Sequence, residues 1–196
     1  DTLASLRGTQ TLMFDLVERP EWVHECLAKI SACWKTAYDK FYELIKDETG
    51  GSVFWAWAPG RMVKLQCDFS AMISPEMFGE FMVPVLDDLA SYTDYSMYHW
   101  DGPGEIPHHD HLLSIENLDV LQWVPSPNDP PCDAPEYWPM YHKTVDAGKR
   151  MLIGAAFENL PTLKREFGTK LKDFIINVTV KDEAQAHEAV KLVTFC

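Results

Sequence analysis

Tyr95-Ser96-Met97-Tyr98-His99-Trp100-Asp101-Gly102-Pro103-Gly104 is the stretch on which the reading of this chain turns. Tyr95 to Trp100 is apolar and aromatic, the composition of a buried strand. Gly102-Pro103-Gly104 then breaks it in a turn. Side chains two apart on a strand share a face, so His99 and Asp101 are expected to converge at its C-terminal end. That end is where α/β barrels and open α/β sheets keep their chemistry. An imidazole and a carboxylate there can hold a metal or move a proton.

Outward from this strand, strands and helices alternate. Pro20 to about Lys46 carries an apolar stripe at helical spacing behind a proline and the acidic Glu21, so it is expected to be a long helix. Ser52 to Ala58, between Gly50-Gly51 and Pro59-Gly60, reads as a strand, and Met62 to Cys67 as a short extended piece. Ser74-Pro75-Glu76 is a helix start: cap, proline in the first turn, acid at the positive end. That helix is expected to run to about Thr93 with a kink at Pro84. Further strands are expected at Val120 to Val124, Met151 to Phe157 and Phe174 to Val180. Helices are expected at Leu112 to Asn117, Tyr141 to Lys149, Leu160 to Phe167 and Asp182 to Thr194. The proline-rich stretch Pro125 to Pro139 reads as a long loop.

This order predicts α/β architecture with a parallel sheet of about five strands in a single domain, residues 1–196. A closed eight-stranded barrel takes roughly 250 residues. The expectation is therefore an open sheet, or part of a barrel whose first strands lie outside these residues.

Composition narrows the function classes. The chain has 196 residues, 46% apolar and 24% charged, with a net charge of −13. Nucleic-acid backbones and anionic membranes attract basic patches, so neither is expected as a partner. No apolar run approaches the ~20 residues of a membrane-spanning helix. Five scattered cysteines without a C-x-x-C pair, and no basic-then-apolar leader pattern, set the expectation of reduced thiols in a cytoplasm. Cys26 and Cys33 share a helix face but stand ~10 Å apart along the axis, too far for a disulfide.

The run Leu65-Gln66-Cys67-Asp68-Phe69-Ser70-Ala71-Met72-Ile73-Ser74-Pro75-Glu76-Met77-Phe78 resembles the uroporphyrinogen decarboxylase superfamily, with its D-x-S strand end and S-P-E-x-F helix start. His99-Trp100-Asp101-Gly102 stands in the place of that group's H-x-C-G or H-x-D-G element. Asp119 to Pro125 looks like the strand after it. The resemblance implies a TIM-barrel-like (β/α) fold, here the C-terminal part, lacking about the first three strands. It implies either metal-assisted methyl transfer with a thiol or a corrinoid protein, or cofactor-free decarboxylation of a tetrapyrrole or other carboxylated substrate. A non-catalytic half-barrel acting as a binding or assembly module is the third expectation. It would need a second copy or the missing N-terminal half to cover its apolar edges.

The residues expected to carry chemistry are Asp68, His99 and Asp101. A zinc ion, where present, would be held by His99, Asp101 and Cys67, a mixed N/O/S set. The decarboxylase reading needs no cofactor. Trp57, Gln122, Trp123 and Glu158 are the candidate substrate contacts. Each has a plainer reading. The tryptophans, Trp55 included, are expected to fill a core. Cys67 reads as a small buried hydrophobe. His108, His109 and His111 read as surface residues at the start of the Leu112 helix. His24, His142 and His187 read as surface or packing residues on helices, and Asp87-Asp88 as a solvated face.

Overall fold

Three helices open the chain: α1 (Thr2–Arg7), α2 (Thr9–Glu18) and α3 (Pro20–Ile45). The structure, a computed structural model, describes residues 1–194; Phe195 and Cys196, with the expectation of a reduced Cys196 thiol, lie outside the described residues. Gly8 joins α1 to α2 at φ 87°, a left-handed conformation glycine adopts without strain. Leu3, Leu12, Leu16 and Val23 bury themselves with Phe69 and Phe81, and Cys26, Leu27 and Ile30 of α3 pack against that cluster. Emptying one such site costs ~2–5 kcal/mol. At its rim Asp15 accepts from Arg7 at 2.6 Å and from Arg19 at 3.0 Å. Both guanidinium groups also lie over the Trp22 ring.

β1 (Ser52–Phe54) and β2 (Ala56–Ala58) follow. They correct the expectation of one strand over Ser52 to Ala58. The chain reverses at Trp55, and the two halves pair antiparallel. The cause is a left-handed Trp55, φ 60°, in a segment without the glycine or asparagine that normally marks such a turn. The Ser52 hydroxyl donates to the Gly60 carbonyl at 2.7 Å and accepts from the Met62 amide at 2.9 Å, which anchors the hairpin to the strand that follows.

That strand is β3 (Met62–Gln66), and a short 3₁₀ turn covers Asp68–Met72. α4 (Pro75–Met77) begins under the Ser74 cap, whose hydroxyl accepts from the Met77 amide at 3.3 Å. Then comes a correction. In place of one kinked helix, a π-helical turn covers Phe78–Met82 and α5 (Val83–Ala90) starts anew. Pro84 has no amide to donate backward, and the widened turn ahead of it accommodates the missing bond. β4 (Tyr95–Asp101) is the expected aromatic strand. A 3₁₀ segment, Pro103–His108, leads into α6 (His109–Ser114), which begins three residues earlier than expected.

β5 (Val120–Val124) opens the remaining part. The proline-rich loop is shorter than expected: Pro135–Tyr137 is a 3₁₀ turn and α7 (Trp138–Asp146) starts with Pro139 in its first turn, where a missing amide does no harm. β6 (Arg150–Ala155), α8 (Leu160–Phe167), β7 (Phe174–Val178) and α9 (Glu183–Val193) complete it. Asp182 accepts from the Gln185 amide and the Gln185 side chain accepts from the Lys181 amide, each at 2.8 Å, a reciprocal cap.

β3 to β7 form a parallel five-stranded sheet in chain order, with helices between the strands. Contacts divide the described chain into two compact units, Asp1–His99 with Pro103–Asp119, and Trp100–Gly102 with Val120 onward. In the first, β3 and β4 pair with Gln66 beside His99. In the second, β5, β6 and β7 pair in parallel around the buried Leu121, Met151 and Ile153. There Tyr141 donates to the Cys132 carbonyl at 2.5 Å, and the buried Asp133 accepts from the Ala156 amide at 2.7 Å and from the Asn159 side chain at 2.9 Å. These bonds fasten the proline-rich loop to the end of β6. No described helix is long and apolar enough to cross a membrane.

Candidate functional site

The candidate site lies at the C-terminal ends of β3 and β4 in the first unit. Val63 and Leu65 are buried on one face of β3, while Lys64 and Gln66 alternate with them on the other, half-buried beyond the buried Met62. Paired residues of neighbouring strands share a face, which puts His99 on the side of Lys64 and Gln66. Three polar side chains join in sequence there. Lys64 donates to the Gln66 amide oxygen. Gln66 donates its NH₂ to both carboxylate oxygens of Asp68, at 2.7 and 2.8 Å. Asp68 itself is exposed, and its amide and that of Phe69 donate to the Asp1 carboxylate at 3.2 and 3.0 Å.

The hairpin supplies the aromatic wall. Trp55 meets the His99 ring edge-on, with centroids 4.8 Å apart. The Lys64 ammonium sits 4.6 Å from the Trp55 ring centroid and 5.7 Å from that of Phe54. A cation over such faces gains ~0.5–2 kcal/mol. Trp55 is nonetheless 50% exposed, and Val53, Phe54 and Trp57 are exposed with it. This corrects the expectation that Trp55 and Trp57 fill a core. Four exposed apolar residues on one short hairpin, one held left-handed, mark a surface shaped for contact rather than packing.

Of the expected residues, the structure brings Asp68 and His99 into this group. Asp101 is the exposed last residue of β4 and falls in the second unit. Trp57 donates its indole NH to Asp47 at 2.9 Å, which ties the hairpin to the end of α3. Gln122 and Trp123 are buried in the second unit, where Trp123 packs edge-on against Trp100 and Tyr137 at 5.2 and 5.0 Å. Glu158 is exposed in the turn after β6. Lys64 and Gln66 were not among the expected residues. Their signal was in the sequence: two polar side chains at alternate positions inside an apolar strand.

Among the described residues, no group of three or more His, Cys, Asp or Glu side chains is gathered as a metal centre would require. The donor chemistry of the expected zinc set also fits poorly. Cys67 is shut into the apolar cluster with Leu3 and Phe69, and burial pushes its thiol up to about 11.

The histidine trio corrects another expectation. His108 and His109 are buried, not on the surface. His108 stacks on Phe78 with centroids 4.4 Å apart. Near it, Tyr98 donates to the buried Glu105 at 3.2 Å. This is a polar core of the first unit. The plainer readings of other residues hold. His24 stacks on Phe81, His142 bonds Glu166 at 2.9 Å, and Asp87 and Asp88 are exposed.

No protein-family model matches the chain, and comparison with curated proteins gives no match.

Proposed function

We propose that this chain is the C-terminal part of a uroporphyrinogen-decarboxylase-like barrel, and that the site at β3 and β4 removes a carboxylate from a small planar substrate as CO₂ without a cofactor. The observation that carries the reading is the convergence of Lys64, Gln66, Asp68 and His99 beneath Trp55 on one strand-end face. The chain-order strand sequence supports the barrel part, because doubly wound sheets reverse their order at a switch point.

Each group then has a task. The Lys64 ammonium pairs with a substrate carboxylate, and Gln66, held by Asp68, hydrogen-bonds beside it. The Trp55 face stacks on the substrate ring and strips water from the scissile group, which weakens the hold on its charge. The C–C bond to the carboxylate breaks, CO₂ leaves, and the electron pair stays on the ring carbon. His99 donates the proton that quenches it.

The test is release of labelled CO₂ from a panel of ring carboxylic acids carrying ¹³C in the carboxyl group. Turnover is expected to survive chelators and to fall by a factor of about 10²–10⁴ in His99→Gln. Lys64→Met is expected to raise KM. Release that is indifferent to His99→Gln, or absent across the panel, overturns the reading. Activity abolished by chelation and restored by zinc would favour metal-assisted methyl transfer instead.

A further inference from the structure

β3 is the outermost strand of its sheet, and three successive residues of it, Lys64, Leu65 and Gln66, line a cleft of about 250 Å³. Successive side chains on a strand point to opposite faces, so a cleft that touches all three runs along the strand's outer edge. Helices supply the other walls. Leu27, Ile30 and Trp34 of α3 stand at steps of three and four residues, on one face of that helix. Met82, from the π-helical turn, and Val85 and Leu89, from α5, complete the apolar lining. All of these but Leu89 are only half-buried, so the fold leaves their apolar surface open to the cleft. The small Ser31, also on its wall, preserves the room between the helices.

The charge at the rim decides what such a cleft takes. The Asp1 carboxylate there is engaged by the amides of Asp68 and Phe69 at 3.2 and 3.0 Å. The Lys64 ammonium therefore sets the sign, and it lies 4.6 Å from the Trp55 ring centroid. Lys64 and Gln66 belong both to this cleft and to the candidate site. A ligand whose carboxylate meets Lys64 and whose ring lies on Trp55 has an apolar cleft at its side. Ligand sites of this kind are mostly apolar, with a few polar groups that fix orientation.

We infer that the cleft between α3, α5 and the edge of β3 is a specificity pocket, and that the substrate is a ring carboxylic acid carrying an unbranched alkyl chain that fills it. The inference rests on the proposed reading in one respect, that Lys64 pairs with the substrate carboxylate.

Isothermal titration calorimetry with benzoate and its para-ethyl, para-propyl, para-butyl and para-pentyl derivatives tests it, with far-UV circular dichroism to show that each variant is folded. Affinity is expected to rise about threefold per methylene in the wild type. Ser31→Leu, from the α3 wall, and Val85→Phe, from the α5 wall, each fill the cleft. Either is expected to flatten the series, so that the pentyl compound binds no tighter than benzoate. Lys64→Met is expected to weaken the whole series about tenfold and to keep its slope. A flat series in the wild type overturns the inference, and so does a slope that survives both filling variants. The two readings fail separately. Carbon dioxide released from short ring acids alongside a flat affinity series overturns the pocket alone. A rising series that both filling variants flatten, without release of carbon dioxide, supports the pocket and overturns the decarboxylation alone.

Discussion

His108 Nε2 donates a hydrogen bond to the main-chain carbonyl of Ser70 at 2.8 Å, across two short 3₁₀ segments far apart in sequence. The bond fixes the proton on Nε2. The other ring nitrogen, Nδ1, is buried and has no hydrogen-bond partner among the described residues. Burial, with His111 nearby, holds the His108 pKa below the ordinary imidazole value. The folded state therefore takes up this proton less readily than the unfolded chain. Stability is complete above the ordinary value of about 6.5 and is lost as pH falls below it. Urea unfolding at pH 7.5 and 5.5 is expected to show that loss in the wild type. In His108→Gln, which keeps a donor but cannot titrate, the difference is expected to shrink, with a cost of ~1 kcal/mol at neutral pH from lost packing on Phe78. Identical pH slopes in the two proteins would count against this account.

The same two segments touch at Gly104, where an added Cβ would stand 2.9 Å from the Cβ of Ala71. Gly104→Ala is expected to push them apart at a cost of ~1–3 kcal/mol. Gly148 makes the useful contrast. It has open space around it but a φ of 82°, so Gly148→Ala is expected to cost ~1 kcal/mol through backbone strain alone. Thermal melts of the two variants check the order, Gly104→Ala being the less stable.

Asp47 gathers the Trp57 indole at 2.9 Å, the Thr49 hydroxyl at 2.7 Å and the Gly51 amide at 2.8 Å. These donors, Trp57 first, hold its pKa at about 2. A carboxylate depressed in the fold contributes fully above the ordinary carboxylate range, and the contribution fades as pH drops through about 2. The Trp57 indole NH resonance is expected to titrate with that midpoint. In Asp47→Asn it should move toward the solvent-exposed position and lose its acid titration.

Trp55 separates local strain from binding. Trp55→Gly relieves the left-handed backbone, while Trp55→Ala keeps it and loses the same ring. The glycine variant is expected to melt higher than the alanine variant, by the equivalent of ~1 kcal/mol. If the proposed decarboxylation holds, both are expected to lose about tenfold or more in affinity for the ring carboxylic acid, because the face against His99 and Lys64 is gone. A glycine variant that binds as well as wild type would remove Trp55 from the site.

The parts that were legible in the sequence are those set by local chemistry. Ser74-Pro75-Glu76 specified its helix start through the cap, and the alternation of turns with apolar runs placed β3 to β7 and most of their helices. Two kinds of feature were hidden. Trp55 turns the chain without any residue that favours turning, so nothing in its neighbourhood announces the hairpin. His108 and His109 look like surface residues beside Asp110 and His111, and only packing against Phe78 and the Ser70 carbonyl, distant in sequence, buries them. The candidate site was half visible. His99 and Asp68 stood out as polar groups at strand ends, while Lys64 was masked by the apolar residues around it.

The seclusion of Cys67 reaches into how the protein can be handled. A sulfhydryl sealed among apolar side chains and kept protonated offers oxidants and alkylating reagents no nucleophile to work on. Maleimide should then mark the outward Cys33 in the folded chain and leave Cys67 untouched until denaturant opens the unit. The lag between those two labelling events times the opening of the N-terminal helices directly.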